Sequence, residues 1–406
     1  MAALMWISHA ERPLKADELC HALGVEIGSP NLNTDYNPSI DTLLACCQGL
    51  FVVGKEASTV QLIHFTLQEY LRAYPDLFRA AHSTIAETCL SYLNSEQVRA
   101  LSTSLSSNLH DLSFLEYSSV YWGVHANRDL SACTRQLALT LFDGYEHHIS
   151  TKTLLKTHGM HWYAVDFDKP SMFNGLHCAS FFGIVEIVAY LVKMEGCDIN
   201  QVDSMGNTPL HWAAWNGHEG VVRMLLRQDG ISPDKPDNCG RIPLHYASGR
   251  GREGVVKILL GRGAVNPNKP DSRGQTPLYC AAWAGQAGVV KILLGHDDVN
   301  PDKPDVYGQT PLFGAASNGH ERVVGVLLGR DDVDPDKPNK NGQTPLFAAA
   351  WDGHEGVVKS LITHDDVNPG KLDKSGRTPL WWAVKSGHAG VVALLQPLAP
   401  AASRAS

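Results

Sequence analysis

The chain has 406 residues, 44% of them apolar and 19% charged, the balance of a folded protein and not of a disordered one. Its net charge of −8 sits in residues 1–150, which hold 8 Lys and Arg against 16 Asp and Glu, while residues 151–406 hold 26 of each, so neither half carries the basic footprint of a nucleic-acid binder. No apolar run reaches the ~18 residues of a membrane span, the N-terminus lacks the basic segment of a secretory signal, and nine cysteines without C-x-x-C read as reduced thiols; no membrane partner and a cytoplasmic setting are expected.

In chain order, "ALMWISHA", "KADELCHAL" and "SIDTLLACCQGL" are predicted as three helices. "LFVVG" and "TVQLIHF", joined by the turn-rich "KEAS", are predicted as a hairpin. Helix–helix–helix–hairpin is a winged-helix order. A DNA-reading version would place Lys or Arg on the third helix, but residues 39–50 have none and Asp41 would repel phosphate. Helical periodicity then continues through "AHSTIAETCLSYLNSEQV", "SFLEYSSVYWGVH" and "RQLALTLFDGYEHHI". These readings divide the first part into a winged-helix-like domain, 1–75, and a helical linker, 76–170.

Beyond the linker the sequence repeats. The dipeptide Pro-Leu recurs with its proline at Pro209, Pro243, Pro277, Pro311, Pro345 and Pro379, always 34 residues apart, and one further step back lands on Gly175–Leu176. Seven copies therefore run from about residue 171 to 395, in a repeat region assigned to 171–396 with a disordered tail at 397–406. In the copy "GQTPLYCAAWAGQAGVVKILLGHDDVNPDKPDVY", Thr276 suits an N-cap and Pro277 the first helical position. The first helix runs through Trp283 and stops at Gly285; Val289, Val290, Ile292, Leu293 and Leu294 give the second helix its apolar stripe. "DDVNPDKPD" has too many prolines to be helical. Such a unit cannot bury its apolar face alone, so the copies are expected to stack.

These residues resemble the ankyrin repeat, whose signature is T-P-L-H-x-A-A followed by G-H and V-V-x-x-L-L; "GNTPLHWAAWNGHEGVVRMLL" at 206–226 fits almost fully. The resemblance implies a mainly α-helical solenoid of about seven helix–turn–helix–hairpin units. The signature histidine survives at His211 and His245 but becomes Tyr279, Phe313, Phe347 and Trp381, so the family's Thr–His hydrogen bond is not expected in the last four copies. The period is also one residue longer than the common 33, the hairpin being enlarged around "NPDKPD".

Several constellations imitate ligand sites. Gly249, Gly251 and Gly254 spell G-x-G-x-x-G, yet a predicted helix precedes them where a dinucleotide fold needs a strand. Gly251 shares its register with Gly217, Gly285, Gly319, Gly353 and Gly387, and Gly254 with Gly220, Gly288, Gly356 and Gly390, so they are read as turn glycines. Asp298, Asn300 and Asp302 mimic half an EF-hand, but its sixth and twelfth positions are Lys303 and Gln309. His218, His320, His354 and His388 recur once per copy, too far apart for one metal; His158 and His161 form a lone pair. No P-loop, G-x-S-x-G or H-E-x-x-H is present. No cofactor, no metal and no enzymatic activity are expected.

Comparison between copies separates scaffold from surface. One first-helix position reads Trp215, Gly249, Trp283, Ser317, Trp351 and Lys385, and a hairpin position reads Met205, Cys239, Arg273, Tyr307, Asn341 and Ser375. A slot that accepts glycine, serine and lysine is not a tightly packed one. In ankyrin repeats it lies on the concave face, the usual recognition surface. A protein partner is therefore expected at Met205, Trp215, Arg241, Arg250, Arg273, Trp283, Tyr307, Trp351 and Asp352, a composition typical of interaction hot spots. Trp212, Tyr246, Cys280, Gly314, Ala348 and Trp382 share another, half-buried slot, read as packing.

"LIHFTLQEYL" resembles the F-x-H-x-S-F-Q-E-[FY]-L stretch of winged-helix domains in NACHT-type signalling ATPases, the NLR-like receptors. That resemblance implies a nucleotide-sensing role for His64 toward a neighbouring NTPase domain on the N-terminal side; the alternative is a histidine satisfied at a strand end. With no P-loop here, such a domain would have to lie elsewhere. The arrangement looks like the C-terminal portion of fungal NACHT–ankyrin receptors, which implies non-self recognition or heterokaryon-incompatibility signalling, a form of innate immunity; the alternatives are the regulatory part of a nucleotide-dependent switch and a simple ankyrin scaffold. The final "AGVVALLQPLAPAAS" is apolar where a solenoid wants a polar cap, so the array is expected to continue or to pair there.

Overall fold

The computed structural model describes residues 1–54, 58–101, 112–158, 172–261, 263 and 265–398. The "KEA" of the hairpin turn, His161 and the tail from residue 399 lie outside the described residues. The chain divides into two units, Met1–Cys197 with Val202–Met205, and Asp198–Gln201 with Gly206–Ser406.

In the N-terminal unit, α1 (Ala2–His9), α2 (Ala16–Gly24) and α3 (Ile40–Cys46) precede β1 (Phe51–Val53) and β2 (Val60–Leu62). The strands pair antiparallel with Phe51 opposite Leu62. Ser39 caps α3 by accepting from the Thr42 amide at 3.1 Å. This helix is shorter than the predicted 39–50, because Gln48 and Gly49 take φ of 47° and 78° and unwind its end. The predicted strand through Phe65 is also cut short: His64 starts α4 (Phe65–Ala73) instead. Then follow α5 (Ala81–Asn94), α6 (Glu96–Arg99), α7 (Leu115–Arg128), α8 (Ala132–Phe142), α9 (Ile149–Thr157), α10 (Gly175–Phe182) and α11 (Val185–Leu191). The first repeat copy, α10 and α11, belongs to this unit, with α10 packed on α7 and α8. Trp122 sits between Phe142 at 5.9 Å and Phe182 at 5.2 Å. Gly123 allows that approach, since a Cβ there would collide with the Phe182 ring.

The second unit holds six inner helices, α12 (Pro209–Asn216), α14 (Pro243–Gly249), α16 (Pro277–Trp283), α18 (Pro311–Ser317), α20 (Pro345–Asp352) and α22 (Pro379–Ser386). Each is followed by an outer helix: α13 (Glu219–Leu226), α15 (Glu253–Leu260), α17 (Ala287–Leu294), α19 (Glu321–Leu328), α21 (Glu355–Ile362) and α23 (Ala389–Leu395). Proline opens every inner helix, where its missing N–H costs nothing. Inner helices pack on inner and outer on outer, as stacking requires. Val221, Val255, Val289, Val323, Val357 and Val391 are all buried at one register, each worth roughly 1.5–3 kcal/mol against exposure.

Side chains staple each copy to the next. The amide of Thr208 donates to His211 Nδ1 at 3.0 Å, which leaves Nε2–H to donate to Arg241 O at 3.0 Å. His245 does the same with the Ile242 amide and Gln275 O. In the last four copies Thr276, Thr310, Thr344 and Thr378 accept directly from the amide three residues on, as the loss of the histidine implies. Tyr279 still reaches across, its hydroxyl donating to Gln309 Oε1 at 3.1 Å.

The enlarged hairpin forms a ladder of its own. The amides of Ser232, Asn266, Asn300, Asp334 and Asn368 donate to the side chains of Asn200, Asp234, Asn268, Asp302 and Asp336 in the preceding copy. Lys235, Lys269, Lys303, Lys337 and Lys371 donate to the backbone carbonyls of those same five residues. The half EF-hand at Asn300 and Asp302 is a segment of this ladder.

Candidate recognition face on the inner helices

The variable inner-helix position ends its helix, and the next copy fixes its backbone. Carbonyls of Trp215, Trp283, Ser317 and Trp351 accept from Arg252 Nε, His320 Nε2, His354 Nε2 and His388 Nε2 at 2.9–3.2 Å. Three of the recurrent histidines therefore act as staples between copies. The turn glycines permit this: Gly285 has φ of 73°, and a Cβ on it would lie 2.7 Å from the His320 ring. Gly251 also has positive φ, and a Cβ on Gly254 would run into the Glu219 carboxylate. Two glycines of G-x-G-x-x-G are thus explained by packing between copies. Gly249 is different, since its nearest obstacle is Cys280 Cβ at 3.9 Å.

The hairpin position follows the same logic. The carbonyls of Cys239, Arg273, Tyr307 and Asn341 accept from Ser272, Val306, Lys340 and Lys374 amides in the next copy. Asp237, Asp271 and Asp305 each gather two amides of their own hairpin at 2.8–2.9 Å. The backbone is committed to the ladder and the side chain is left to vary.

Trp283 is 55% exposed, Tyr307 61% and Trp351 42%. Trp215 is half-buried, 5.0 Å from Tyr246, with the Arg250 guanidinium 4.1 Å from its ring centroid. Trp351 packs on Trp382 at 3.9 Å. Trp283 stacks on no ring among the described residues. Asp352 accepts from Ser317 Oγ at 3.2 Å. Met205 is counted with the N-terminal unit, half-buried, its amide donating to Asp203.

Five of the predicted residues, Trp215, Arg241, Arg250, Arg273 and Trp283, line one cavity of about 360 Å³. His245, Tyr246, Gly249, Gln275, Tyr279, Cys280 and Ala284 complete its wall, and the sequence reading had not placed them there. Tyr246 and Cys280 line the cavity from the slot read as packing. Trp212 and Trp382 are buried in that slot, but Tyr246 and Cys280 are half-buried and face the cavity. Gly249, a glycine between two tryptophans of one register, was the signal that could have shown the gap. Tyr246 donates to Asp237 Oδ2 and Trp382 Nε1 to Asp373 Oδ2. Where the slot holds Gly314, Asp305 Oδ2 is buried with no hydrogen-bond partner among the described residues.

Arg241 Nε lies 3.5 Å from Asp271 Oδ2. Arg250 and Arg273 have no carboxylate within ion-pair distance among the described residues. Burial, then repulsion from Arg252, lowers the pKa of Arg250, though it remains a cation at neutral pH. Burial pushes the Cys280 thiol up to about 12 and lowers His245 to about 4, so both are neutral there.

In the N-terminal unit His64 is exposed and caps α4, accepting from the Thr66 amide at 3.2 Å. Ile63, Phe65, Tyr70 and Tyr74 are exposed on the same segment. A second cluster joins Glu11, His82 and His125. Its histidines meet Nδ1 to Nδ1 at 2.8 Å, His125 Nε2 bonds the Tyr117 hydroxyl, and Arg128 pairs with Glu11 at 2.5 Å. These contacts tie α5, α7 and the segment that follows α1 together.

Stacked helix pairs, stapled hairpins and a variable inner face define an ankyrin array. The family described as ankyrin repeats (3 copies) matches residues 143–237, 230–305 and 312–401, over half the chain, and the protein belongs to it. Residues 1–89 match the family described as GPI inositol-deacylase, winged helix domain. The crystal structure of the human ASB11 ankyrin repeat domain is similar at 25% identity and a TM-score of 0.47, over 54% of this chain and 96% of that one. No curated protein matches the sequence. Ankyrin repeats are protein–protein interaction modules, and that is the functional class of this chain. No helix among the described residues is long and apolar enough to cross a membrane.

Proposed function

We propose that the chain is a non-enzymatic recognition module that binds a protein partner on the concave inner-helix face of its array. Its proposed setting is a cytoplasmic NLR-like receptor that signals non-self recognition or incompatibility. The observation that carries this reading is the inner-helix register itself. Its backbone is pinned by the next copy while Trp283 remains largely exposed, Trp351 remains partly exposed and Trp215 stacks under Arg250. Rigid aromatic anchors of this kind supply most of the energy in protein interfaces. Replacing Trp215, Trp283 and Trp351 together by Ala should weaken partner capture by roughly a hundredfold or more. Unfolding should stay cooperative, with some loss of stability from the packed Trp215 and Trp351. Capture at wild-type strength by the triple variant would remove the basis of the proposal.

A second reading rests on the exposed apolar segment around His64. Ile63, Phe65, Tyr70 and Tyr74 form the kind of patch that marks an interaction surface, which suits contact with an NTPase domain supplied from elsewhere. The chain would then regulate a nucleotide switch without turning over ATP itself. A Walker A motif encoded upstream of Met1 would make this reading primary, and ATP hydrolysis by the purified chain would overturn it.

A further inference from the structure

Along the inner-helix register, large and absent side chains alternate around one point. Trp215 and Trp283 flank Gly249, and all three line an open cavity of about 360 Å³. A Cβ on Gly249 meets nothing closer than 3.9 Å, so packing of the scaffold does not require glycine at this place. Its neighbours Gly251 and Gly254, by contrast, are held to glycine by adjoining copies.

The wall of the cavity is cationic. Arg241, Arg250 and Arg273 line it, with no Asp or Glu among the lining residues. Asp271, which does not line the cavity, lies 3.5 Å from Arg241. Arg250 is stacked over the Trp215 face, which fixes its guanidinium without compensating its charge. Arg273 projects from a hairpin whose backbone is bonded to the next copy. Two unpaired guanidinium groups, that of Arg250 held by an aromatic face, suit a planar anion attached to an apolar stem.

We propose that this cavity receives an acidic side chain of the partner, its anionic group held by Arg250 and Arg273 and its stem packed between Trp215 and Trp283. The inference rests on the reading of the inner face as a protein-binding surface and adds the chemistry of what enters it. Carboxylate and phosphorylated side chains share that chemistry. The paired arginines and the room for a stem fit both, so the test separates them.

The full chain is used to select from a displayed library of random peptides, once unmodified and once after treatment with a tyrosine kinase. Retained peptides are then titrated against wild type, Gly249→Trp, Arg250→Glu with Arg273→Glu, and the triple tryptophan variant. Enrichment of Asp or Glu, or of phosphotyrosine in the treated arm, supports the proposal if binding drops roughly tenfold or more in both cavity variants and weakens with salt. Gly249→Trp places there the residue other copies carry, and melting curves check that it folds; the arginine pair leaves the backbone untouched. Neutral or basic peptides, or acidic ones indifferent to both variants, overturn the inference. They leave the broader reading intact if the triple tryptophan variant loses them. A library that the wild type retains no better than the triple variant counts against both.

Discussion

At the scale of single residues, burial decides the chemistry of the histidines. His211 and His245 are buried among the inner helices, and burial lowers each to about 4. In the N-terminal unit His125 is lowered to about 3 and His148 to about 4 for the same reason. An unfolded histidine titrates near 6.5, so between about 6.5 and 4 the unfolded chain binds protons that the folded chain refuses. Stability should therefore be full above pH 7 and fall through this window by up to about 1.4 kcal/mol per pH unit for each such histidine. Urea denaturation at pH 7, 6 and 5 measures the slope. His245→Phe, the residue that later copies use, should flatten it; an unchanged slope would mean that His245 does not contribute. The presence of a histidine at these positions was legible in the sequence. Its charge state was not, because that depends on how deeply the stacked copies bury the ring.

At the scale of elements, the enlarged hairpin is the clearest departure from a plain array. "NPDKPD" and the equivalent segments of other copies supply the rungs formed by Asn268, Asp302, Asp336 and the lysines beyond them. Asp302 Oδ2 accepts from the Asp334 amide at 2.9 Å, and Asn at the matching positions Asn200 and Asn268 makes the same rung. Asp302→Asn should keep it and change stability by less than about 0.5 kcal/mol. Asp302→Ala leaves that amide unpaired and should cost about 1–2 kcal/mol by urea denaturation. Added Ca²⁺ should shift neither midpoint; a shift would restore the ion-binding reading of the segment. The winged-helix order was legible from the pattern of three apolar helical runs and two strand-like runs. The end of α3 was not, because Gln48 in the left-handed region has no strong local signature.

At the scale of the whole molecule, an array coupled only through nearest neighbours localises its lesions. Gly285 needs positive φ, and a side chain there would press on the His320 ring that caps Trp283. Gly285→Ala should cost about 1–3 kcal/mol. Hydrogen exchange should show protection lost in α14 to α19, with α5 and α7 of the other unit unaffected. Loss spread evenly over both units would mean that the chain unfolds as one block.

The sequence by itself determined the repeat, its 34-residue period, the caps and prolines that open each helix, and the valines and leucines that must be buried, because these are local or periodic properties of a linear pattern. It also marked the variable register, by comparison of one copy with the next. Only the tertiary structure decided that Arg241, Arg250 and Arg273 face one cavity with two tryptophans, that Tyr246 and Cys280 belong to its wall, and that the turn histidines bond carbonyls 37 residues back. Those relations join residues of different copies, and the distance between them is set by how helices stack, which no single stretch of sequence contains.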